Sequence, residues 1–539
     1  MRTKVMRWGW YLFLSLILIS LCAKFLGNPL IFDDQYFFMA GAPEQYFADG
    51  FKAFPRWWVY ETLAATFVFF GSDMFWLRLG NLAAHMASVL ALYFLTRRIF
   101  IDLDGRQTEF MSAETGAFIA AMFFAVHPLA IFTQAYLIQR TIVCATLFSL
   151  LTWSFFWRGL AGSRLALWGS CLFFLVALFA KEHAVMVPWV SLLFLILYRS
   201  SGLKLGISLK EAWGALLVQA AISMFIILQL KGILGQPYEI MTFEVLEGQA
   251  PSSLSMENLY PLSVLNQAGL FFKYLMLWLL PYSTWVSIDM REVFPVSFQA
   301  WTLWAGFLAF ILYAVTCIAL LFRGGVIGLI GLALLAPCVL FFTEFSAARF
   351  QEPFVLYRSY LWMPSLFIVL ALGLRRLTKN LVFVLIPLFF AYFLALSFDR
   401  LATFSHPYRV WNEAAFLLEK NPRASEVFGA YRIYYNRGNA ELQAGMIEDA
   451  IADFDRVIKI QPNYAHAYHQ RGVIYFNQKD WVNAQEQFEK AIRLLPTNIK
   501  SYLGLAEVFA ATGQIEEAAN ALRAACAQGS EYACKKSES

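Results

Sequence analysis

Charge is what this 539-residue chain has least of: only 15% of its residues are Asp, Glu, Lys or Arg, against 60% apolar and 17% aromatic. Soluble domains carry about 25% charge and 45–50% apolar residues. A water-soluble globule is therefore excluded for the chain as a whole, and so is disorder. The seven cysteines are too sparse for a disulfide-stapled fold. The six histidines show no metal-ligand spacing, and there is no P-loop or dinucleotide glycine motif, so nucleotide-driven chemistry has no support. The net charge of +5 is no nucleic-acid signature: from Leu401 on, 15 Lys and Arg meet 16 Asp and Glu in 139 residues, about 22% charged. The scarcity belongs to residues 1–400, about 12% charged, which read as a membrane-embedded body ahead of a tail of ordinary composition.

A helix needs about 20 apolar residues to cross the hydrocarbon core, and open strands are excluded there. Twelve segments qualify as candidates: Trp8–Leu26, Phe75–Leu95, Thr115–Ile131, Thr141–Trp157, Leu165–Ala180, Ala184–Tyr198, Ala212–Leu230, Val264–Leu280, Phe298–Phe322, Val326–Phe342, Val355–Leu374 and Leu381–Leu396. The first reads as a retained anchor, since no small-x-small cleavage site follows it. Basic clusters mark the cytoplasmic side: Arg2/Lys4/Arg7, Arg97/Arg98/Arg106, Arg158/Arg164, Arg199/Lys204/Lys210 and Arg375/Arg376/Lys379. The first four fall on alternate loops and put 28–53 and 128–140 outside. Strict alternation would put the last cluster outside and the tail in the cytoplasm. Treating Val264–Leu280, which carries Lys273 and precedes Pro281, as re-entrant reverses both. About eleven true spans with the tail outside is the reading taken.

The tail repeats itself. Tyr434, Gly438, Ala450, Phe454 and Pro462 recur 34 residues on as Tyr468, Gly472, Ala484, Phe488 and Pro496, with Tyr502, Ala506, Ala518 and Leu522 as a weaker third copy. That is the tetratricopeptide (TPR) period, helix–turn–helix per unit. The expected division is a transmembrane domain over 1–400 with an external loop at 28–74, a linker region at 401–430, and repeats at 431–464, 465–498 and 499–539. Cys526 and Cys534 flank Gly529; a disulfide clipping a terminal hairpin, which needs an oxidising compartment, and two free thiols are both open.

Ionisable residues in or beside the apolar segments are the candidates for chemistry. Asp33 and Asp34 open the first external loop, which also carries Arg56 between aromatics. Arg78 and His85, seven residues apart, share one helical face. His127 precedes Pro128, and Gln139-Arg140 open the next span. Lys181-Glu182-His183 fill a connection almost without loop, as an ion pair capping two helices or as a substrate contact. Arg358 follows Tyr357 and could fork onto a phosphate. Acids on an external loop and cations at the outer ends of several spans suit a lipid-phosphate substrate, one carboxylate taking a proton from an incoming hydroxyl while the phosphate leaves as an anion.

The external Asp33-Asp34, the string Arg78-Leu79-Gly80-Asn81-Leu82-Ala83-Ala84-His85, the stretch from Phe124 through His127-Pro128 to Gln139-Arg140, Ala180-Lys181-Glu182 and Tyr357-Arg358-Ser359-Tyr360 resemble, in order and over nearly the whole chain, the polytopic GT-C-type glycosyltransferases bearing C-terminal TPR repeats, which include the transmembrane-and-TPR O-mannosyltransferases and bacterial relatives. The resemblance implies an all-α membrane bundle with a C-terminal TPR solenoid. It implies a polyprenyl-phosphate-linked sugar donor, a catalytic acid in the first external loop (Asp34 favoured over Asp33), and a donor and phosphate site lined by Arg78, His85, Arg140, Lys181 and Arg358; Arg56, His127 and Glu182 join them as substrate-binding candidates by position. No cofactor is required, and a divalent metal is not called for. The expected partners are the donor, membrane lipid, a protein or glycan acceptor, and a protein bound by the repeats. The expected place is a bacterial inner membrane with the repeats periplasmic. Transfer to protein Ser/Thr leads; modification of a lipid-linked or surface glycan, and a non-enzymatic envelope scaffold, are the alternatives. This chain differs from longer members in having about three repeats and apolar Val355-Leu356 before Tyr357.

Overall fold

In the computed structural model, residues 2–38, 42–103, 112–237, 239, 242, 245–246, 251 and 253–537 are described. Arg106 lies outside them. The described residues form helices joined by turns, with no strand among them, and divide into two compact units, one running to His406 and one carrying the helices from Pro407 on.

The first unit contains α1 (Arg2–Cys22), α2 (Asp33–Phe38), α3 (Ala42–Ala48), α4 (Trp57–Phe70), α5 (Met74–Leu103), α6 (Ala113–Ala125), α7 (Pro128–Ala135), α8 (Arg140–Leu160), α9 (Arg164–Ala180), α10 (Val187–Ser200), α11 (Leu209–Gln229), α12 (Met256–Leu279), α13 (Trp301–Phe322), α14 (Gly325–Phe341), α15 (Ser359–Trp362), α16 (Leu366–Leu374) and α17 (Lys379–Thr403). Eight of its helical segments are long and apolar enough to cross a membrane, or up to ten if two bent pairs each count once. One shorter apolar helix among the described residues, Arg164–Ala180, falls short of that length. The bends have causes. Between α6 and α7 (53°) the chain restarts at Pro128, which supplies no N–H, and the His127 ring accepts the Leu129 N–H as the new cap. The second bent pair joins Leu356–Trp362 to α16 at 62°, across Pro364.

Contacts sort the loops of this unit to two ends. At one, Arg97 pairs with Glu114 at 2.8 Å, the Arg375 guanidinium covers the Phe100 ring at 5.5 Å, the Gly206 N–H reaches Leu160 O at 2.9 Å and the Gly325 N–H reaches Ser201 Oγ at 2.8 Å. At the other, Asn28 Nδ2 donates to Leu401 O at 3.0 Å, the Arg56 N–H to Phe179 O at 2.8 Å, and Arg400 to Val286 O at 3.3 Å. Helix α12 is continuous and, by length and composition, could cross. Tyr260 near its start donates to Phe345 O at 2.8 Å, and Val286, seven residues past its end, accepts from Arg400 at 3.3 Å.

The second unit stacks α18 (Pro407–Glu419), α19 (Tyr431–Gln443), α20 (Ile447–Ile460), α21 (Ala465–Asn477), α22 (Trp481–Leu494), α23 (Ile499–Ala511), α24 (Ile515–Ala527) and α25 (Glu531–Ser537). Glycine sits where paired helices touch: a Cβ on Gly472 would lie 2.7 Å from the Phe488 ring, and one on Gly438 3.0 Å from Phe454. Helix α18, within the segment expected to be a linker, packs on α19 and belongs to this unit. Cys526 and Cys534 are joined in a disulfide that ties α25 to α24.

Candidate functional site

The loop after α1 is fastened to the bundle through the Asp34 carboxylate. Asp34 is fully buried, and its two carboxylate oxygens accept the N–H groups of Ile138 (2.8 Å) and Leu137 (3.3 Å), where the chain turns from α7 into α8. Burial pushes its carboxyl up to about 7, against the opposing pull of Arg78 and of the N–H bonds. A carboxyl near neutrality suits a general base; here it is enclosed, with an N–H group on each oxygen. Asp33, one residue earlier, is half-exposed. Its N–H donates to the Tyr136 hydroxyl at 3.2 Å.

Four of the expected substrate-binding residues are tied into the bundle by hydrogen bonds. Arg78 divides its guanidinium among three carbonyls, Asn28 O at 3.0 Å, Pro29 O at 2.6 Å and Ala135 O, so that it laces the first loop to α7. Arg140 does the same with Asn81 Oδ1 (2.7 Å), Thr62 Oγ1 (3.1 Å) and Leu77 O (2.6 Å). His85 bonds the Tyr360 hydroxyl at 2.6 Å and Ala125 O at 3.0 Å. His127 stacks on Trp278 with ring centres 4.5 Å apart, and its Nε2 bonds Trp278 O at 3.1 Å. All four are buried.

The others converge. Arg56 forks onto Glu182, its Nε 2.9 Å from Oε2; it holds this pose from a left-handed backbone (φ 71°), a conformation that costs a non-glycine residue about 1–2 kcal/mol. Lys181 is buried, with Nζ 3.0 Å from Gln139 Oε1, 3.4 Å from Thr141 Oγ1 and 5.0 Å from the centre of the Tyr357 ring. Its ammonium is pulled down to about 7, first by burial and then by Arg56 and Arg358, with Glu182 and Asp33 opposing. Arg358 Nη1 lies 2.6 Å from Glu344. Glu344 also faces Arg349 at 3.6 Å and His183 at 3.6 Å, and the other ring nitrogen of His183 faces Glu182 at 3.3 Å. A run of close polar contacts, Arg56–Glu182–His183–Glu344–Arg358, thus leads from the first loop to the late one. Of the residues gathered here, Asp33, Tyr60, Arg56 and Tyr357 are half-exposed, and Tyr136, Lys181 and Arg358 are buried.

Sequence reasoning missed Tyr136, Tyr357, Arg349 and Glu344. Only Glu344 carried a signal: a single acid at the end of the apolar run 325–345, where an unpaired charge is costly. Among the described residues no group of three or more His, Cys, Asp or Glu could hold a metal ion.

Comparison with known proteins bears mainly on the second unit. Residues 438–479 match a family described as TPR repeat, and 465–498 one described as tetratricopeptide repeat. The mitochondrial import receptor subunit TOM70 of Rattus norvegicus and that of Mus musculus are each 29% identical over 82 residues, 15% of this chain; the chain spans only 13% of their length. A crystal structure of MamA aligns with 22% of the chain and 68% of its own, at 25% identity and TM-score 0.20. ArnT from Cupriavidus metallidurans, solved bound to undecaprenyl phosphate, aligns with 85% of the chain and 80% of its own, at 14% identity and TM-score 0.38. Residues 438–498 are therefore tetratricopeptide repeats, following an all-helical body of membrane-spanning composition.

Proposed function

We propose that the protein is a membrane glycosyltransferase that moves a sugar from a polyprenyl-phosphate carrier to a hydroxyl, on protein Ser/Thr, outside the cytoplasm. The observation that carries this reading is the convergence of one half-exposed carboxylate, Asp33, with Lys181, Arg56 and Arg358 at one end of an apolar bundle. Asp33 is the base: it takes the acceptor proton as the hydroxyl oxygen bonds to the sugar's anomeric carbon. The bond from that carbon to the phosphate oxygen breaks, and its electron pair leaves with the phosphate. Lys181, Arg56 and Arg358 stabilise the charge that develops there, and no separate acid is needed.

Two contacts support an extracytoplasmic site with the repeats on the same side. Through the Asn28–Leu401 bond, the exit toward the repeats lies at the end that holds Asp33, and the Arg375 contact groups the last basic cluster with the earlier ones. The disulfide fits an oxidising compartment.

Purified protein given polyprenyl-phosphate-linked sugars and a Ser/Thr-rich peptide should glycosylate the peptide, and Asp33→Asn should abolish this. Full transfer by Asp33→Asn refutes the mechanism. In a deletion strain, loss of sugar from surface polysaccharide but not from envelope proteins would reassign the acceptor to a glycan. Loss of function on removing the repeats, with Asp33 dispensable, would make the protein a scaffold.

A further inference from the structure

A base carried on a surface loop has to be aimed. Asp33 follows Phe32, a non-glycine residue held at φ 55°. Left-handed backbone persists at such a residue only when its surroundings over-determine it. Here the surroundings are a single aromatic column. The Phe32 ring stacks on Tyr136 with centres 6.4 Å apart, Tyr136 meets Tyr357 edge-on at 5.8 Å, and the Tyr357 ring carries the Lys181 ammonium at 5.0 Å. The column runs through three rings from the residue before Asp33 to the Lys181 ammonium.

Tyr136 is its fixed member. It is 1% exposed, its N–H is bonded to Phe132 O at 3.2 Å, and its carbonyl accepts the Gln139 N–H at 3.1 Å. The next two residues are those whose N–H groups hold Asp34. One turn of chain, 136–138, therefore grips both aspartates: backbone N–H groups anchor Asp34, and a phenol addresses Asp33. That hydroxyl accepts the Asp33 N–H at 3.2 Å, and the Asp33 carboxyl group lies close enough to help raise the phenol. A buried O–H needs an acceptor, and the Asp33 carboxylate is the acceptor this proposal assigns to it. Burial and the two aspartates hold the phenol well above its usual range, so it remains a donor at every working pH.

We propose that Tyr136 is a positioning residue for Asp33: its hydroxyl orients the carboxylate and favours its ionised form, and its ring sets the spacing from Asp33 to Lys181. This rests on Asp33 as the base. Tyr136→Phe removes only the oxygen. With polyprenyl-phosphate-linked sugars as the probe, the expected result is kcat down about tenfold, donor KM unchanged, and the acid limb of the pH–rate profile moved up by about one unit. Fluorinated tyrosine at position 136, a stronger donor of nearly the same shape, should move the limb down, which keeps the test alive if the phenylalanine variant folds poorly. An unmoved acid limb in both variants, with Asp33→Asn inactive, overturns the proposal and leaves the function standing. An active Asp33→Asn variant overturns the function itself.

Discussion

The two adjacent aspartates give the sharpest test, because their surroundings predict opposite consequences. Asp34→Ala strips the partner from two buried N–H groups, those of Leu137 and Ile138. An unsatisfied buried donor costs about 1–3 kcal/mol, so the pair costs about 4 kcal/mol. Arg78, whose charge faces Asp34, loses its counter-ion as well. Asp34→Asn keeps one acceptor oxygen and turns an amide donor toward the second N–H, so about half that loss is expected. Asp33→Asn, at a half-exposed position, should cost less than about 1 kcal/mol. Removal of a general base lowers a rate by about 10²–10⁴. Thermal melting of the detergent-purified variants, set beside sugar transfer, separates the two effects: Asp34 variants should melt early and lose activity in proportion to folded protein, whereas Asp33→Asn should melt normally and be inactive. A normally melting Asp34→Asn that is catalytically dead, beside an active Asp33→Asn, would refute the assignment.

Arg140→Lys should lower the melting temperature through a loss of about 3 kcal/mol, since an ammonium cannot fork onto Asn81, Thr62 and Leu77 together, while donor KM of the folded fraction stays unchanged. Gly80→Ala should reproduce that loss, its new Cβ meeting Arg140 Nη2 at 2.7 Å. The Lys181 ammonium, held near 7, is present below that pH and lost above it, so donor KM should rise toward tenfold per unit as pH climbs past 7, and Lys181→Arg should flatten that limb. Opening the Cys526–Cys534 disulfide, eight residues apart in sequence, should cost the repeat unit about 2.5 kcal/mol of loop-closure entropy, read as an earlier melt of the repeats under reductant.

Much of this architecture was legible because it follows from periodicity and solvent. Long apolar runs have one solution in lipid, and a 34-residue period has one supersecondary unit. Gly472 and Phe488 could be paired from their register alone. The site was legible as a set of residues but not as roles. Arg78, Arg140, His85 and His127 satisfy the rule that ionisable groups in spans are functional candidates, and each turns out to answer the other demand on buried polar atoms, a partner for every donor. Spacing along a helix cannot say whether a guanidinium faces a cavity or a carbonyl. Nor could sequence separate Asp33 from Asp34: adjacent residues on a short helix point about 100° apart, and the direction is set by Leu137 and Ile138, a hundred residues away.

That division of labour follows from what the bilayer end of such a protein must do. A loop bearing the base has to be rigid, yet it stands where backbone groups have few partners. Arg78 and Asp34 solve this by committing a charge each to backbone: the guanidinium takes the carbonyls of 28, 29 and 135, and the carboxylate takes the N–H groups of 137 and 138. Both are spent on backbone groups, and they immobilise the neighbours that the proposed chemistry uses. The strained backbones of Phe32 and Arg56 are the counterpart. Each immediately precedes a helix in the first loop, and each is held by its side chain against the segment 136–182. Replacing either by glycine should relieve local strain of about 1–2 kcal/mol, but it also removes the Phe32 ring from Tyr136 or the Arg56 fork from Glu182, and that outweighs the gain. A glycine variant at position 32 that melted higher and transferred sugar faster would show that the column is incidental to catalysis.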